Sequence, residues 1–167
     1  IIAKGAQAGI GSLRIDRINE KIVDLIKANG IETVALAPEA GSQRMRDLLR
    51  KDITEVDIIS ATEILVEKEI LNLRLYFMVG LPKEEDQDID AIIELTRKIQ
   101  HHALQNSRGK KKFRRITLSI NQFIPKPATP LQWCPLADVN IVGKKIKKIE
   151  NAFSRERQVK IIHAVPK

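Results

Sequence analysis

Hydrophobic positions along the chain switch repeatedly between a helical and an extended period. Ile18, Ile22, Leu25 and Ile26 share one helix face, with Asp16 placed to cap its start and Asn29-Gly30 to stop it. Thr33-Val34-Ala35-Leu36-Ala37 follows, a short run of little polarity that suits a buried parallel strand. Ser42 is then placed to cap a short helix carrying Met45, Leu48 and Leu49. Thr54, with Asp57 three residues on, opens another helix over Ile58, Ala61, Leu65 and Val66. Leu73 to Val79 reads as a strand, closed by Gly80-Leu81-Pro82. Glu84, Glu85, Asp86 and Asp88 precede a helix through Ile92, Leu95 and Ile99, where negative charge complements the helix dipole. The polar, basic stretch from His101 to Arg115 reads as a loop feeding a strand from Ile116 to Phe123. Pro125, Pro127, Pro130 and Pro135 exclude a regular element from Ile124 to Pro135. A helix from Ile141 to Phe153 and a strand from Val159 to Ile162 complete the order.

Strands and helices therefore alternate. This predicts an α/β fold of parallel β/α units joined by right-handed crossovers. The pattern alone leaves a barrel wall and an open doubly wound sheet both standing. In either, ligands gather at the carboxyl ends of the strands.

The loops after the strands thus hold the candidate chemistry. In Pro38-Glu39-Ala40-Gly41-Ser42, Gly41 permits close backbone approach and the helix start at Ser42 favours an anionic group. Glu39 offers acceptors for ribose hydroxyls or an amine; equally, Glu39 and Ser42 suit simple capping. Gly80-Leu81-Pro82 suits backbone contact with a planar ring, or a plain turn. The proline-stiffened loop offers Lys126 to an anionic substrate. Trp133 and Phe123 suit a pocket wall there, or Trp133 packs back on a rigid surface loop.

Composition narrows this picture. The chain has 167 residues, enough for one domain over 1–167 or part of a larger one. Its net charge of +8 favours polyanion contact, or reflects solvated faces such as Lys144, Lys145, Lys147 and Lys148. Phe113 within the basic run Lys110 to Arg115 suits base stacking, so a basic RNA-binding module is a rival reading. A β/α domain that scaffolds partners is a third. The one cysteine, Cys134, forms no internal disulfide and cannot alone hold zinc or an iron–sulfur cluster. His101 and His102 are adjacent and cannot share a helix face, and His163 stands alone. No catalytic or metal-ligating residue is therefore assigned. No Walker loop, Rossmann fingerprint or nucleophile elbow is present, and no apolar run is long enough to span a membrane. A reducing, cytoplasmic setting is expected.

Taken in order, the strand-end loops resemble those of radical SAM proteins. Ala37-Pro38-Glu39-Ala40-Gly41-Ser42-Gln43-Arg44, followed by Leu48-Leu49-Arg50-Lys51 and Ile53-Thr54, is similar to their fourth strand end. Leu75-Tyr76-Phe77-Met78-Val79-Gly80-Leu81-Pro82 is similar to their fifth strand and loop. Phe123-Ile124-Pro125-Lys126-Pro127, Thr129-Pro130 and Gln132-Trp133 are similar to the sixth. The resemblance runs from about Ser12 onward and is nearest to members carrying an upstream cobalamin-binding-type domain. It implies a partial TIM-type barrel that binds S-adenosylmethionine and a [4Fe–4S] cluster held by three cysteines. That pair generates a 5′-deoxyadenosyl radical. If Ser12-Leu13-Arg14 is the third strand, the cluster loop is absent from this chain. The expectation is then a fragment, inactive alone, whose partner is the missing N-terminal part of the same protein. Exposed strand edges also suggest homo-oligomers. The resemblance carries Glu39 to the cofactor ribose, Lys51 to its carboxylate, and Gly80 with its neighbour Leu81 to the adenine. Tyr76 stands where some relatives have an acidic ribose contact.

Overall fold

The computed structural model describes residues 11, 13–107 and 112–164. Helix α1 spans Glu20–Ala28, strand β1 Thr33–Glu39, and helix α2 Gln43–Leu48. Helix α3 spans Glu55–Glu67, strand β2 Asn72–Val79, and helix α4 Asp86–Asn106. Strand β3 spans Arg115–Gln122, helix α5 Val139–Phe153, and strand β4 Val159–Ala164.

The four strands form one parallel sheet in the order β1-β2-β3-β4. This order settles the choice that the hydrophobic pattern left open, in favour of the partial barrel that the resemblance implied. A doubly wound sheet reverses its strand order at a switch point. Here spatial order equals chain order, and same-handed crossovers then lay every helix on one face. Accordingly α1 packs on α3, α3 on α4, and α4 on α5. The architecture is that of a partial β/α barrel wall. Outside β1, Leu13 makes an isolated parallel bridge to Leu36. The expected strand from Ser12 to Arg14 is reduced to that bridge, and Ser12 lies outside the described residues.

Alternation along the strands gives the sheet two unlike faces. Leu73, Leu75, Phe77 and Val79 of β2 and Ile116, Leu118 and Ile120 of β3 are buried beneath the helices. Ile58, Leu65, Ile92, Ile99, Ile146 and Ile149 meet them from α3, α4 and α5. The opposite face carries Arg74, Tyr76, Thr117, Ser119 and Lys160, all half-buried or exposed. β2 and β3 are thus covered on one side only, whereas β1 is buried over most of its length, as its Thr33–Ala37 run predicted, with only Thr33 exposed and Ala35 and Glu39 half-buried.

Two element ends differ from expectation. Asn19, not Asp16, caps α1, its side chain accepting from Ile22 N–H at 3.1 Å. Asp16 instead sits in a short 3₁₀ turn and pairs with Arg14. Helix α4 runs on through His101 and His102 to Asn106, because Ile99 and Ala103 extend its buried stripe. The predicted capping box on α3 forms as expected between Thr54 and Asp57.

Candidate functional site

Strand β1 ends through a register shift between Leu36 and Glu39. Glu39 there takes φ 68°, a left-handed conformation that costs energy for a residue with a side chain. Arg50, just past α2, takes φ 49°. Both strained residues line one cavity of about 240 Å³, together with Leu13, Asp16 and Lys51. Within it Lys51 Nζ donates to Glu39 Oε1 at 3.1 Å. Such a part-exposed pair adds little stability. Its consequence is geometric: an acceptor and a cation face one space at the carboxyl end of β1.

A second cavity of about 350 Å³ adjoins the first, with Arg50 lining both. Its walls are chiefly apolar, from Leu48, Leu49, Met78, Phe123, Ile124 and Leu131, and Lys126 stands on its lining. Beneath it Ala40, Met45, Leu81 and Phe123 form a small apolar cluster separate from the main core. Half-buried Cys134 packs against that cluster.

Buried polar groups hold these loops in place. Arg46 is 1% exposed and donates to the carbonyls of Ala40 (3.2 Å), Gly41 (2.7 Å) and Ile53 (3.2 Å). Burial lowers its guanidinium pKa, with the Glu55 and Asp47 charges partly opposing that shift. Gly41 is packed so tightly on α4 that an added Cβ would lie 2.2 Å from Ile92 N. Ser42 makes no side-chain cap for α2; its hydroxyl donates to buried Asp88 at 2.6 Å, and Arg44 bonds the same carboxylate. Gly41 and Ser42 thus join the loop to α4. After β2, Gly80 takes φ 80° and its N–H donates to Glu84 Oε2 at 2.8 Å. Lys145 of α5 donates to that same oxygen at 2.7 Å, and the Glu84 side chain is 2% exposed.

The structure therefore brings Glu39 and Lys51 together, places Lys126 on the adjoining cavity, and buries Leu81 beneath it. Trp133 is 88% exposed and is not among the residues lining either cavity. It neither walls the pocket nor packs back on the domain; Phe123 is the aromatic that does line it. Phe113 is buried in the main core, so its ring is not offered for base stacking, and Lys110 and Lys111 lie outside the described residues. His102 pairs with Glu63 and His163 with Glu150. Among the described residues no His, Cys, Asp and Glu group is arranged to hold a metal ion.

Sequence reasoning assigned no role to Arg46 or to Arg50, and saw in Glu84 only a dipole partner. Arg46 carried a weak signal, an arginine at an apolar helix position beside Met45. The carboxylate of Glu84, four residues after Gly80, signalled a side chain able to fold back on the turn.

The model of the radical SAM superfamily matches residues 10–96, which include β1, β2 and the loops bearing Glu39, Lys51 and Gly80. An uncharacterised protein of Methanocaldococcus jannaschii is 37% identical over 153 residues, covering 91% of this chain and 31% of that protein. An uncharacterised methyltransferase of Pyrococcus horikoshii is 30% identical over 88 residues, 53% of this chain and 19% of that protein. The chain thus spans less than a third of the length of these curated relatives. With its parallel sheet and its strand-end cavities, the chain belongs to the radical SAM superfamily.

Proposed function

We propose that residues 1–167 form one domain that supplies part of the S-adenosylmethionine and substrate pocket of a larger radical SAM enzyme. The observation that carries this reading is the Glu39–Lys51 pair in a polar cavity adjoining an apolar one. S-adenosylmethionine has a charged amino-acid end, a polar ribose and a flat, weakly polar adenine. The two cavities match that division. Glu39 accepts from the ribose hydroxyls, and Lys51 draws the carboxylate. The apolar cavity takes the adenine, with Leu81 in the apolar cluster beneath it and the Gly80 turn holding the end of β2. Arg46, Gly41 and Ser42 keep Glu39 in its strained conformation. Lys126 on the cavity lining faces the substrate.

An iron–sulfur cluster does not fit this chain. Three thiolates are required, and the sequence has one cysteine, which packs in an apolar cluster. The ligands of the iron–sulfur cluster then belong to the remaining, N-terminal part of the parent protein. In the family, cluster and S-adenosylmethionine together supply one-electron cleavage of the sulfonium. The parent enzyme, reconstituted with iron and sulfide without oxygen and then reduced, should release 5′-deoxyadenosine from S-adenosylmethionine. The 167-residue chain treated in the same way should release none. Release by the chain alone, or none by the parent, overturns the proposal.

A further inference from the structure

The sheet face turned away from the helices carries a second set of groups. Parallel register aligns Arg74, Thr117 and Lys160 in one row across β2, β3 and β4. Tyr76, Ser119 and Ile162 form the next row, and Met78, Asn121 and Ala164 the one above it. Neighbouring strands lie about 4.8 Å apart, so the Arg74 and Lys160 backbones stand about 10 Å apart with the Thr117 hydroxyl between them. Both side chains are long enough to span that separation. Among the described residues neither cation has a hydrogen-bond or ion-pair partner. No carboxylate stands in these three rows. Among the other cations on helices and strands, Lys27, Arg97, Lys98, Lys145 and Lys148 are paired, while Lys21, Arg115, Lys144 and Lys147 have no ion-pair partner among the described residues.

We infer that Arg74, Thr117 and Lys160 bind the phosphate end of the substrate. A guanidinium fork, a hydroxyl and an ammonium supply donors to three oxygens of one phosphate, and no acid opposes it. The row lies on the same face as Met78, which lines the apolar cavity at the cofactor end. Four residues of strand, about 13 Å, separate Arg74 from Met78. Tyr76 and Ser119 line the way between. The substrate is therefore elongated, anchored by phosphate at the amino end of the strands and presenting its reacting part at the cavity. This inference rests on the pocket reading above for the position of that reacting end.

The test uses the intact parent protein with inorganic phosphate and, separately, phenyl phosphate as probes. Phosphate binding is followed by calorimetry at low ionic strength, and S-adenosylmethionine binding by equilibrium dialysis in parallel. Saturable phosphate binding is expected, weakened about tenfold or more in Arg74→Gln and Lys160→Gln, with cofactor affinity unchanged. Thr117→Val, which keeps both charges and nearly the same volume, should weaken it several-fold while the far-ultraviolet circular dichroism stays constant. Lys160→Arg should restore binding. Absence of saturable phosphate binding in the wild type overturns the inference. So does binding that none of these substitutions moves, or loss of folding in the Gln variants with normal binding in Thr117→Val. Loss of cofactor binding in the wild type would count against the pocket reading instead, leaving the phosphate result to decide this site.

Discussion

Gly41→Ala is expected to destabilise the protein by about 4 kcal/mol, above the ordinary cost of an overpacked core. The added Cβ would sit 2.2 Å from Ile92 N, 2.4 Å from Ala91 C and 2.6 Å from Ile92 Cα. These are backbone atoms of α4, so no side-chain rotation relieves the overlap. The loop between β1 and α2 has to withdraw from α4. Withdrawal pulls Ser42 from Asp88 and strains the bonds from buried Arg46 to the Ala40 and Gly41 carbonyls. Leaving such buried acceptors unmet costs about 1–3 kcal/mol each. Thermal unfolding followed by circular dichroism should show a fall of about 10 °C in Tm. A shift within about 2 °C would show that the loop is not pressed against α4 as described.

Glu84→Ala should be nearly as costly, about 3–5 kcal/mol, because it strands Lys145 with its side chain 13% exposed. It also removes the acceptor for Gly80 N–H, so the turn after β2 loses its hold on its φ of 80°. Breaking half of a buried ion pair costs more than removing all of it. Glu84→Ala with Lys145→Met should therefore recover about half of the lost stability. Glu84→Gln, which keeps an oxygen for Gly80 N–H, should fall between wild type and Glu84→Ala. Urea denaturation of the four proteins gives these free energies directly. Equal stability of Glu84→Ala and wild type would remove Glu84 from its place as the anchor of this loop.

The fold was legible where a pattern had one physical meaning. The apolar runs of β1 and β2, the 3.6-residue stripes of α3 and α4, and the Thr54–Asp57 box each specified a local structure, and each formed. Strand order was not legible, because alternating elements serve a barrel and a doubly wound sheet equally; only the β1-β2-β3-β4 pairing separates them. The end of α4 was misread because polar His101 and His102 hid the continuing burial of Ile99 and Ala103. Of the site, Glu39 was visible because it stands at a strand end, whereas Lys51, which follows α2, was pointed to by the family resemblance alone. Arg46 was not visible, since a buried arginine satisfied by backbone carbonyls looks like any other charged helix residue. Phe113 misled for the opposite reason. It lies among basic residues in the chain, yet folds into the main core. The polar sheet face could not be seen at all until the register set Arg74, Thr117 and Lys160 side by side.

In the proposed function, the cavity at the end of β1 holds S-adenosylmethionine through Glu39 and Lys51. The most direct test is the dissociation constant for S-adenosylmethionine in the intact parent protein, compared with Glu39→Gln and Lys51→Ala. A rise of about tenfold in each variant, with unchanged Tm, is predicted, as expected for losing one charge-assisted hydrogen bond. Affinity unchanged in both variants would show that Glu39 and Lys51 do not hold the cofactor.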